Sequence, residues 1–497
     1  MRKKSQNDFS NISRRDFIRR AACAGVGTVA MTSAISQLRW MNAAVAQSNI
    51  NSYKALVCIF LQGGNDSNNL VIPTIQSQYN NYATIRTPVL AIPYSAILGV
   101  TSANPDGNTY GLHPSCPELH QLFGEKKLAL LFNTGTLVYP ITRAQYLAGT
   151  VQQPPQLFSH ADQQTQWQTS IPDQPPTTGW GGRVADLLNS VQPTAPISLM
   201  VTLAGANTFE VGNIVSQYSV STSGAVSLAL PTTPSGGANT NRLPALLNVL
   251  GLPYSNLQAQ AYASVAEQAI NNAALLNNAI SNTAAATFWT NRFPVTIAPP
   301  EGGPSFTSTL SPQLEMVARL IAAGSTPVNK GGFGMLRQIF FVQVGGYDLH
   351  TGQTNYSANT PNNVLEGAHT NLLAELSQSM FAFQRAMEQL GLSNNVTSFT
   401  CSDFSRTFPS NGEGSDHGWG SHHLVLGGAV NGQMTYGQFP AQVINGPNDT
   451  GTGRWIPTTA IDQYFATLAT WFGVDSSNLA TVFPNLGRFS SSNLGFV

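Results

Sequence analysis

Three apolar segments of the chain each run into a short loop that carries an acidic residue. Ala55–Leu61 leads into Asp66, Gln338–Val344 into Asp348, and Val396–Cys401 into Asp403. Continuous apolar runs rich in β-branched and aromatic residues are typical of buried parallel strands. In open α/β sheets, sites are built at the carboxyl ends of such strands. The pattern therefore predicts a site at one sheet edge.

Segments between these runs have the apolar spacing of three and four that predicts helices. They include Pro312–Ala323, Leu365–Leu390 and Ala460–Phe472, while Leu128–Phe132 and Leu424–Leu426 are predicted as further strands. Alternation of strands and helices indicates an α/β fold with three layers. We therefore predict a mostly parallel central sheet with helices on both faces.

Residues 210–310 differ from the rest, because Ser, Thr, Gly and Pro stretches flank an Ala, Asn and Gln-rich helical segment, Leu257–Phe288. We predict that this region is a helical insertion packed on the sheet. The length fits one large sheet with insertions. The predicted organisation is a signal segment at 1–46 followed by a single α/β domain at 47–497.

The first 46 residues have the pattern of a twin-arginine signal. Ser13-Arg14-Arg15-Asp16-Phe17-Ile18-Arg19 precedes a mildly apolar stretch from Ala21 to about Leu38, and Ala44-Val45-Ala46 supplies a cleavage pattern. The alternative is an amphipathic helix of the folded domain. The ordered signal elements favour export of an already folded protein, with a mature chain from Gln47 and a periplasmic or extracellular location.

Removal of residues 1–46 changes the charge, because eight of the 23 basic residues and only two of the 23 acidic residues lie there. The mature chain is then about six charges negative, which argues against nucleic acid or an anionic membrane as a partner. No stretch after the signal is long and apolar enough to predict a membrane span.

Cys58, Cys116 and Cys401 lack metal-site spacing and are predicted to be buried apolar residues.

Aspartate and histidine occur together at two places. Asp348-Leu349-His350 can present both side chains to one ion, since residues i and i+2 of an extended segment project to the same side, and Asp416-His417 offers the same pair. Carboxylates gathered at one sheet edge would repel each other, and a cation removes that cost. Mixed Asp and His ligands suit zinc, manganese or iron. The alternative is that these are turn aspartates and surface histidines.

Ser159 is the candidate nucleophile, because the Pro154-Pro155 pair before it and the polar run after it predict that it begins a helix. The free N–H groups at a helix start favour an anion. An ordinary N-cap serine is the alternative. The chain has no G-x-S-x-G, P-loop or G-x-G-x-x-G motif, and the enzyme classes that those motifs mark are therefore disfavoured.

Ordered segments across the mature chain resemble the bacterial family called domain of unknown function 1501. They are LQGGND at 61–66, GLHP at 111–114, LFSHADQQTQWQ at 157–168, GWGGR at 179–183, GGYDLHTGQ at 345–353, SDFSRT at 402–407, GSDHGWGSHHLVLGG at 414–428 and RWIPTTAIDQY at 454–464. The activity of that family is not established.

The family is similar in turn to the alkaline phosphatase and sulfatase superfamily, whose members act on phosphate and sulfate esters at one or two metal ions. The resemblance implies Ser159 as nucleophile and, as metal ligands, Asp66, Asp348, His350, Asp403 and His417. Further candidates for the site are His160, Asp416, His422, His423, Asn65 and Arg406. The implied cofactor is a divalent metal such as zinc, manganese or calcium.

The chain departs from these patterns at two places. Phe404 stands where the superfamily usually has a histidine, so either His422 or His423 replaces it or the second metal is absent. The family's usual Glu and Gly are Asp403 and Ser405 here. The family's frequent Ser-His after Thr-Arg is Ala144-Gln145, which leaves the identity of the attacking serine open.

Two functions follow as hypotheses. The first is an exported metal-dependent hydrolase of phosphate or sulfate esters, acting on a small-molecule or polymer substrate. The second is an exported binding or assembly protein that keeps the fold without turnover. Metal content and the spacing of Asp66, Asp348, His350 and His417 distinguish them. The oligomeric state stays open.

Overall fold

The computed structural model describes residues 50–192, 197–225, 241–253, 257–284 and 286–497. The predicted signal at 1–46 and its cleavage point lie outside the described residues, so export stays a prediction. The division into one domain with an insertion at 210–310 also stays a prediction. None of the described helices is long and apolar enough to cross a membrane.

The strands of the structure are β1 Lys54–Leu61, β2 Val71–Pro73, β3 Leu98–Val100, β4 Tyr110–Leu112, β5 Leu128–Gly135, β6 Met200–Thr202, β7 Tyr218–Ser219, β8 Thr296–Ile297, β9 Phe306–Thr307, β10 Arg337–Val344, β11 Val396–Ser402, β12 Ser421–Gly427, β13 Thr435–Tyr436 and β14 Thr459–Ala460. The central sheet has the order β13-β5-β12-β11-β1-β10-β6-β7, and β14 also pairs with β5. Only β12 runs antiparallel to its neighbours in this sheet.

The α-helices are α1 Ser67–Leu70, α2 Gln76–Leu90, α3 Pro117–Gly124, α4 Arg143–Ala148, α5 His160–Thr169, α6 Trp180–Leu188, α7 Arg242–Leu250, α8 Leu257–Asn282, α9 Ala286–Trp289, α10 Ser311–Ser325, α11 Ala368–Gln389, α12 Ile461–Phe472 and α13 Leu479–Val482. Short 3-10 turns lie at Tyr94–Ala96, Asn189–Val191, Val328–Lys330, Pro361–Leu365, Ser393–Asn395, Ser476–Asn478 and Leu486–Arg488. The segment predicted as one helix, Leu257–Phe288, forms α8 and α9 instead.

Helices cover both faces of the central sheet. One contacting group consists of α3, α10 and α11, and a second consists of α6, α12 and α13. Strands β1, β5, β11 and β12 are buried at nearly every position. Because successive side chains of a strand point to opposite faces, burial at consecutive positions requires cover on both sides. The predicted α/β architecture with a mostly parallel sheet is confirmed.

Local sequence explains where several elements end. Thr142 and Gln145 form a reciprocal capping box at the start of α4, which satisfies N–H groups that have no partner within the helix. Gly149 after α4 and Gly473 after α12 adopt left-handed conformations, and glycine does so without a Cβ clash. The apolar face of α12 packs on the sheet, where Phe465 contacts Phe399 of β11.

Candidate metal centre

The carboxyl ends of three adjacent parallel strands meet at one edge of the sheet. Leu61 at the end of β1 is in register with Val344 of β10 and with Ser402 of β11. The segments that carry Asp348 and Asp403 therefore leave the sheet side by side.

Two glycines let the segment after β1 approach the other two. Gly63 and Gly64 have φ angles of 114° and 84°, which favour glycine. A Cβ on Gly63 would lie 2.4 Å from the Asp348 nitrogen, and one on Gly64 would lie 2.6 Å from the Phe404 ring. The Gly63 N–H donates to Asp403 Oδ1 at 3.2 Å. The glycine pair therefore permits the close packing on which this edge depends.

Three imidazoles and one carboxylate converge at this edge. The Nε2 atom of His417 lies 3.0 Å from Nε2 of His160 and 2.9 Å from Nε2 of His350. Oxygens of Asp348 lie 3.2 Å from His350 Nε2 and 3.4 Å from the Nε2 atoms of both His160 and His417. His160, Asp348 and His417 form a group of ligand atoms within 4.8 Å of one another, and His350 adjoins it. The structure thus contains a His/Asp group that could hold a metal ion.

The outer nitrogen of each imidazole meets a hydrogen-bond acceptor. His160 Nδ1 lies 2.6 Å from Asp403 Oδ2, His350 Nδ1 lies 2.9 Å from Asp416 Oδ1, and His417 Nδ1 lies 2.7 Å from the Phe158 carbonyl oxygen. A carbonyl oxygen only accepts, so His417 carries its proton on Nδ1. The same assignment at the other two rings leaves three Nε2 lone pairs facing one another. This arrangement, with a carboxylate or carbonyl behind each imidazole, is the usual second layer of a metal site.

The Nε2 atoms of His160 and His417 and the carboxylate oxygens of Asp348 have the spacing of ligands around one metal ion. Tetrahedral ligands at about 2.0–2.1 Å from zinc are separated by about 3.3–3.4 Å. His417 and Asp348 lie 3.4 Å apart, and each lies 2.9–3.4 Å from His160 and from His350. His350 itself lies outside the group of ligand atoms that are all within 4.8 Å of one another. Without a cation or a shared proton, facing lone pairs and a carboxylate at these distances repel one another. His160, Asp348 and His417 therefore have a spacing that fits a single divalent metal such as zinc, and His350, which contacts two of them, is a candidate fourth ligand.

Burial, hydrogen bonds and neighbouring charges shift the pKa values of three residues of the cluster. Burial lowers the pKa of His417, which favours the neutral imidazole that a metal needs. The hydrogen bond to Asp403 is the largest influence on His160 and raises its pKa. Burial opposes ionisation of Asp348, but the hydrogen bond and charge of Arg406, together with the charges of His160 and His350, lower the pKa of Asp348.

The cluster is open to solvent on one side and closed on the other. Side chains of Asp348 and His350 are 47% and 43% exposed, whereas Asp403 and Arg406 are fully buried. Arg406 donates to Asp348 Oδ1 at 2.9 Å and also to the Gly63 and Ser415 carbonyl oxygens. A substrate could therefore approach the Asp348 side while buried groups hold the ligands from behind.

Phe404 forms the apolar floor of the cluster. Its ring centroid lies 4.8 Å from that of His160 and 4.7 Å from that of His417. The ring therefore occupies the space where a histidine at this position could have offered a further ligand. His422 and His423 do not replace it, because both lie buried within β12.

The two β12 histidines are held by core contacts. His422 Nδ1 accepts from the Asn133 N–H at 3.1 Å and stacks on Phe439, while His423 stacks on Tyr464. Burial lowers the pKa of each imidazole to about 3. They therefore behave as neutral core side chains.

Asp66 follows β1 as predicted, but its contacts lie in a separate buried cluster. Its carboxylate pairs with the buried guanidinium of Arg86 and accepts from Gln353 and Asn68. Burial opposes ionisation, but the charges of Arg86 and His369 and the hydrogen bonds from Gln353 and Arg86 together lower the pKa of Asp66. Because Arg86 already compensates the charge of Asp66, no cation is needed there. The neighbouring Asn65 uses its side-chain oxygen to accept from His369 Nε2 at 3.0 Å.

Ser159 immediately precedes α5, whose first residue is His160, one of the three histidines of the cluster. The Ser159 hydroxyl donates to Asp162 Oδ2 at 2.6 Å, and its oxygen does not cap the helix by accepting from a backbone N–H. Its neighbour Phe158 has a φ of 72°, an uncommon conformation for a large side chain that is found at functional sites. Ser159 is therefore next to the cluster in sequence, with its hydroxyl held by an acidic partner.

Three side chains of this region were not among the predicted site residues. Arg86 and Gln353 hold Asp66, and Arg454 donates to the His417 carbonyl oxygen at 2.8 Å. Arg454 begins the segment RWIPTTAIDQY and Gln353 ends the segment GGYDLHTGQ, so the family resemblance was the available signal for both residues. Neither Arg86 nor Gln353 belongs to a strand end.

Comparison with protein families gives one match. Residues 335–483 match the family described as protein of unknown function (DUF1501). The predicted family resemblance is confirmed. No curated protein matches the sequence. The matched segment includes Asp348, His350, Asp403, Asp416 and His417.

Several solved structures are similar to this chain. The sulfatase PsFucS1 from Pseudoalteromonas sp. shares 8% sequence identity with it, and the alignment covers 92% of this chain and 74% of the sulfatase, with a TM-score of 0.32. A phosphonate monoester hydrolase from Silicibacter pomeroyi has 8% identity, coverage of 85% and 73%, and a TM-score of 0.29. The periplasmic domain of EcEptC from Escherichia coli, in complex with Zn, has 11% identity, coverage of 76% and 73%, and a TM-score of 0.28. The α/β architecture of this chain rests on its own sheet topology.

Proposed function

We propose that this protein binds one divalent metal ion through His160, Asp348, His350 and His417 and uses it to hydrolyse phosphate or sulfate esters. The convergence of three Nε2 atoms on one carboxylate supports this proposal most strongly. An isolated cluster of this kind is unfavourable, and a cation reverses the sign of each interaction. A bound divalent metal would polarise an ester oxygen and lower the pKa of the attacking hydroxyl or water.

The protein's own groups have distinct parts in this proposal. Asp403 and Asp416 hold the protons of His160 and His350 on the outer nitrogens, so that the inner nitrogens stay free to act as ligands. Arg406 fixes Asp348, whose exposed carboxylate faces the approaching substrate. Ser159 is the proposed nucleophile, with Asp162 as the acceptor of its hydroxyl proton.

One ion per chain is proposed rather than two. The Phe404 ring packs against both His160 and His417, which excludes a ligand from that side. Asp66 has its charge compensated by Arg86 within a buried pair. Neither residue is available for a second ion, so the proposed site is mononuclear.

A binding or assembly protein without turnover is the second candidate. Four protein ligands complete a tetrahedral zinc sphere, and such closed sites are commonly structural. The solvent exposure of Asp348 and His350 instead favours access by a substrate. In both cases we propose export by the twin-arginine route, which would place the folded and metal-loaded protein outside the cytoplasm.

Metal content and ester turnover of matched variants test the proposal. Wild type, Asp348→Asn, His350→Ala and the control His120→Ala are purified without chelators, and metal is measured by elemental mass spectrometry. His120 bonds the Gly99 carbonyl oxygen and takes no part in the cluster. We expect about one ion per chain in wild type and His120→Ala, and less in the two cluster variants.

Turnover is then measured with p-nitrophenyl phosphate and p-nitrophenyl sulfate in the presence of zinc, manganese or calcium. Activity in wild type that falls with metal content in the variants supports the hydrolase. Metal without activity on either ester supports the binding protein. A wild-type protein that neither contains nor takes up metal contradicts the metal-dependent hydrolase.

A further inference from the structure

Arg454 is a cation held against the two segments that supply His417 and His160. Its Nε atom donates to the His417 carbonyl oxygen at 2.8 Å, and its guanidinium carbon lies 4.2 Å from the centroid of the Phe158 ring. Phe158 in turn accepts from His417 Nδ1 and is followed by Ser159 and His160. The side chain is therefore fixed beside the proposed metal centre by two separate contacts.

The charge of Arg454 is uncompensated, in contrast to the other arginines of this region. Arg406 pairs with Asp348 and Arg86 pairs with Asp66. Within the described part of the chain, no carboxylate forms a salt bridge with Arg454. The side-chain hydrogen bond from Arg454 to the His417 carbonyl oxygen uses only its Nε atom. Both terminal NH₂ groups are therefore left for a ligand.

A guanidinium with two free terminal groups matches the oxygens of a tetrahedral anion. Arginine binds phosphate and related groups through parallel N–H···O bonds, and its fork geometry gives it an advantage over lysine. Stacking on Phe158 restrains the side chain before a ligand arrives, so less conformational freedom is lost on binding. The combination favours a charged ester over a neutral one.

We propose that Arg454 binds the anionic oxygens of the ester and restricts the site to negatively charged substrates. This inference rests on the proposed function of the same site. It narrows the proposed substrates to esters with at least one charged non-bridging oxygen, which excludes fully esterified neutral compounds, and it names the residue that selects them. Arg454 would then be a specificity-determining residue, whereas the four ligands hold the metal.

Arg292 provides a closely matched control. Its Nε atom donates to the Phe288 carbonyl oxygen at 2.8 Å, and its guanidinium carbon lies 4.2 Å from the Phe288 ring centroid. The contacts are of the same types and lengths as those of Arg454, but they involve no residue of the metal centre. Arg292→Met therefore reports the effect of removing a stacked arginine elsewhere.

The test compares wild type, Arg454→Met, Arg454→Lys and Arg292→Met by isothermal titration calorimetry with orthophosphate and with sulfate. Each protein is first loaded with zinc, and its metal content is measured. Because hydrogen bonds to charged groups contribute about 1.5–3 kcal/mol, Arg454→Met should weaken anion binding by about 10- to 150-fold. Arg454→Lys should lose less, and Arg292→Met should bind as wild type does. Metal content should be equal in all four.

Each other outcome is decisive. Equal anion binding by Arg454→Met and wild type, or binding by neither, overturns the inference while leaving the metal centre intact. Loss of metal from Arg454→Met also overturns it, because the arginine would then act only by positioning His417. A wild-type protein without metal contradicts the proposed function instead, and comparison of anion binding in the metal-free proteins still tests Arg454 separately.

Discussion

Replacement of Asp403 by asparagine removes one charge from behind the metal centre without changing side-chain size. Asp403 Oδ2 accepts from His160 Nδ1 at 2.6 Å and from Gln164 Nε2 at 2.8 Å, while Oδ1 accepts from the Gly63 N–H at 3.2 Å. An amide has only one oxygen, so either orientation of asparagine places its NH₂ group against a donor. The substitution therefore disturbs the protonation of His160 with little change in packing volume.

The size of the effect follows from burial. Loss of the acceptor behind a metal-bound histidine typically lowers metal affinity by 10- to 100-fold, which is about 1.4–2.8 kcal/mol. Asp403 is fully buried, so water cannot replace it, and we expect the upper half of that range. Asp416 holds His350 in the same way at 2.9 Å but is 49% exposed. Asp416→Asn should therefore cost less than about 10-fold, because solvent screens exposed charges.

Zinc affinity of wild type, Asp403→Asn and Asp416→Asn is measured by competition with a fluorescent chelator at one pH and ionic strength. Circular dichroism and thermal unfolding of the metal-free proteins establish that each variant is folded. The expected order of affinity is wild type, then Asp416→Asn, then Asp403→Asn. Folded Asp403→Asn with wild-type affinity, or a larger loss in Asp416→Asn, would refute the assignment of these carboxylates as partners of His160 and His350.

Further predictions concern the nucleophile, a buried acid and export. Ser159→Ala should keep wild-type metal content but hydrolyse no ester, and turnover equal to wild type would eliminate Ser159 as nucleophile. Burial raises the pKa of Glu210 from 4.5 to about 8, so the folded protein retains a proton between these values and loses stability as pH rises, by up to about 1.4 kcal/mol per pH unit. Urea unfolding from pH 5 to 9 should show a flatter profile for Glu210→Gln, and an unchanged profile would contradict the shift. Replacement of both Arg14 and Arg15 by lysine should leave the precursor in the cytoplasm, as measured by cell fractionation, whereas normal secretion would indicate another export route.

The strand ends were predictable because strong local signals mark them. The apolar runs of β1, β10 and β11 lie within one residue of their predicted bounds. Once these strands are parallel neighbours, Asp348 and Asp403 must leave the same edge of the sheet. The pairs Asp348 with His350 and Asp416 with His417 could also be predicted from the sequence, because the two residues of each pair lie close together in a single loop.

Other features depend on contacts between residues far apart in sequence. Arg86 neutralises Asp66 from within α2, and no periodicity indicates that a helical arginine will be buried against a strand-end aspartate. His160 meets Asp403 across 243 positions, so its place among the inner groups becomes visible only in three dimensions. His422 and His423 resemble ligands in sequence, yet their strand directs both into the core. These outcomes are set by tertiary packing rather than by local pattern.

Anomalous X-ray diffraction at the absorption edge of the bound metal tests the central claim most directly. Crystals are grown from protein purified without chelators, with elemental analysis to identify the metal. The account predicts one anomalous peak per chain, at about 2 Å from the Nε2 atoms of His160, His350 and His417 and from a carboxylate oxygen of Asp348. Metal-supplemented crystals without a peak among these four side chains, or with one beside Asp66 instead, would contradict it.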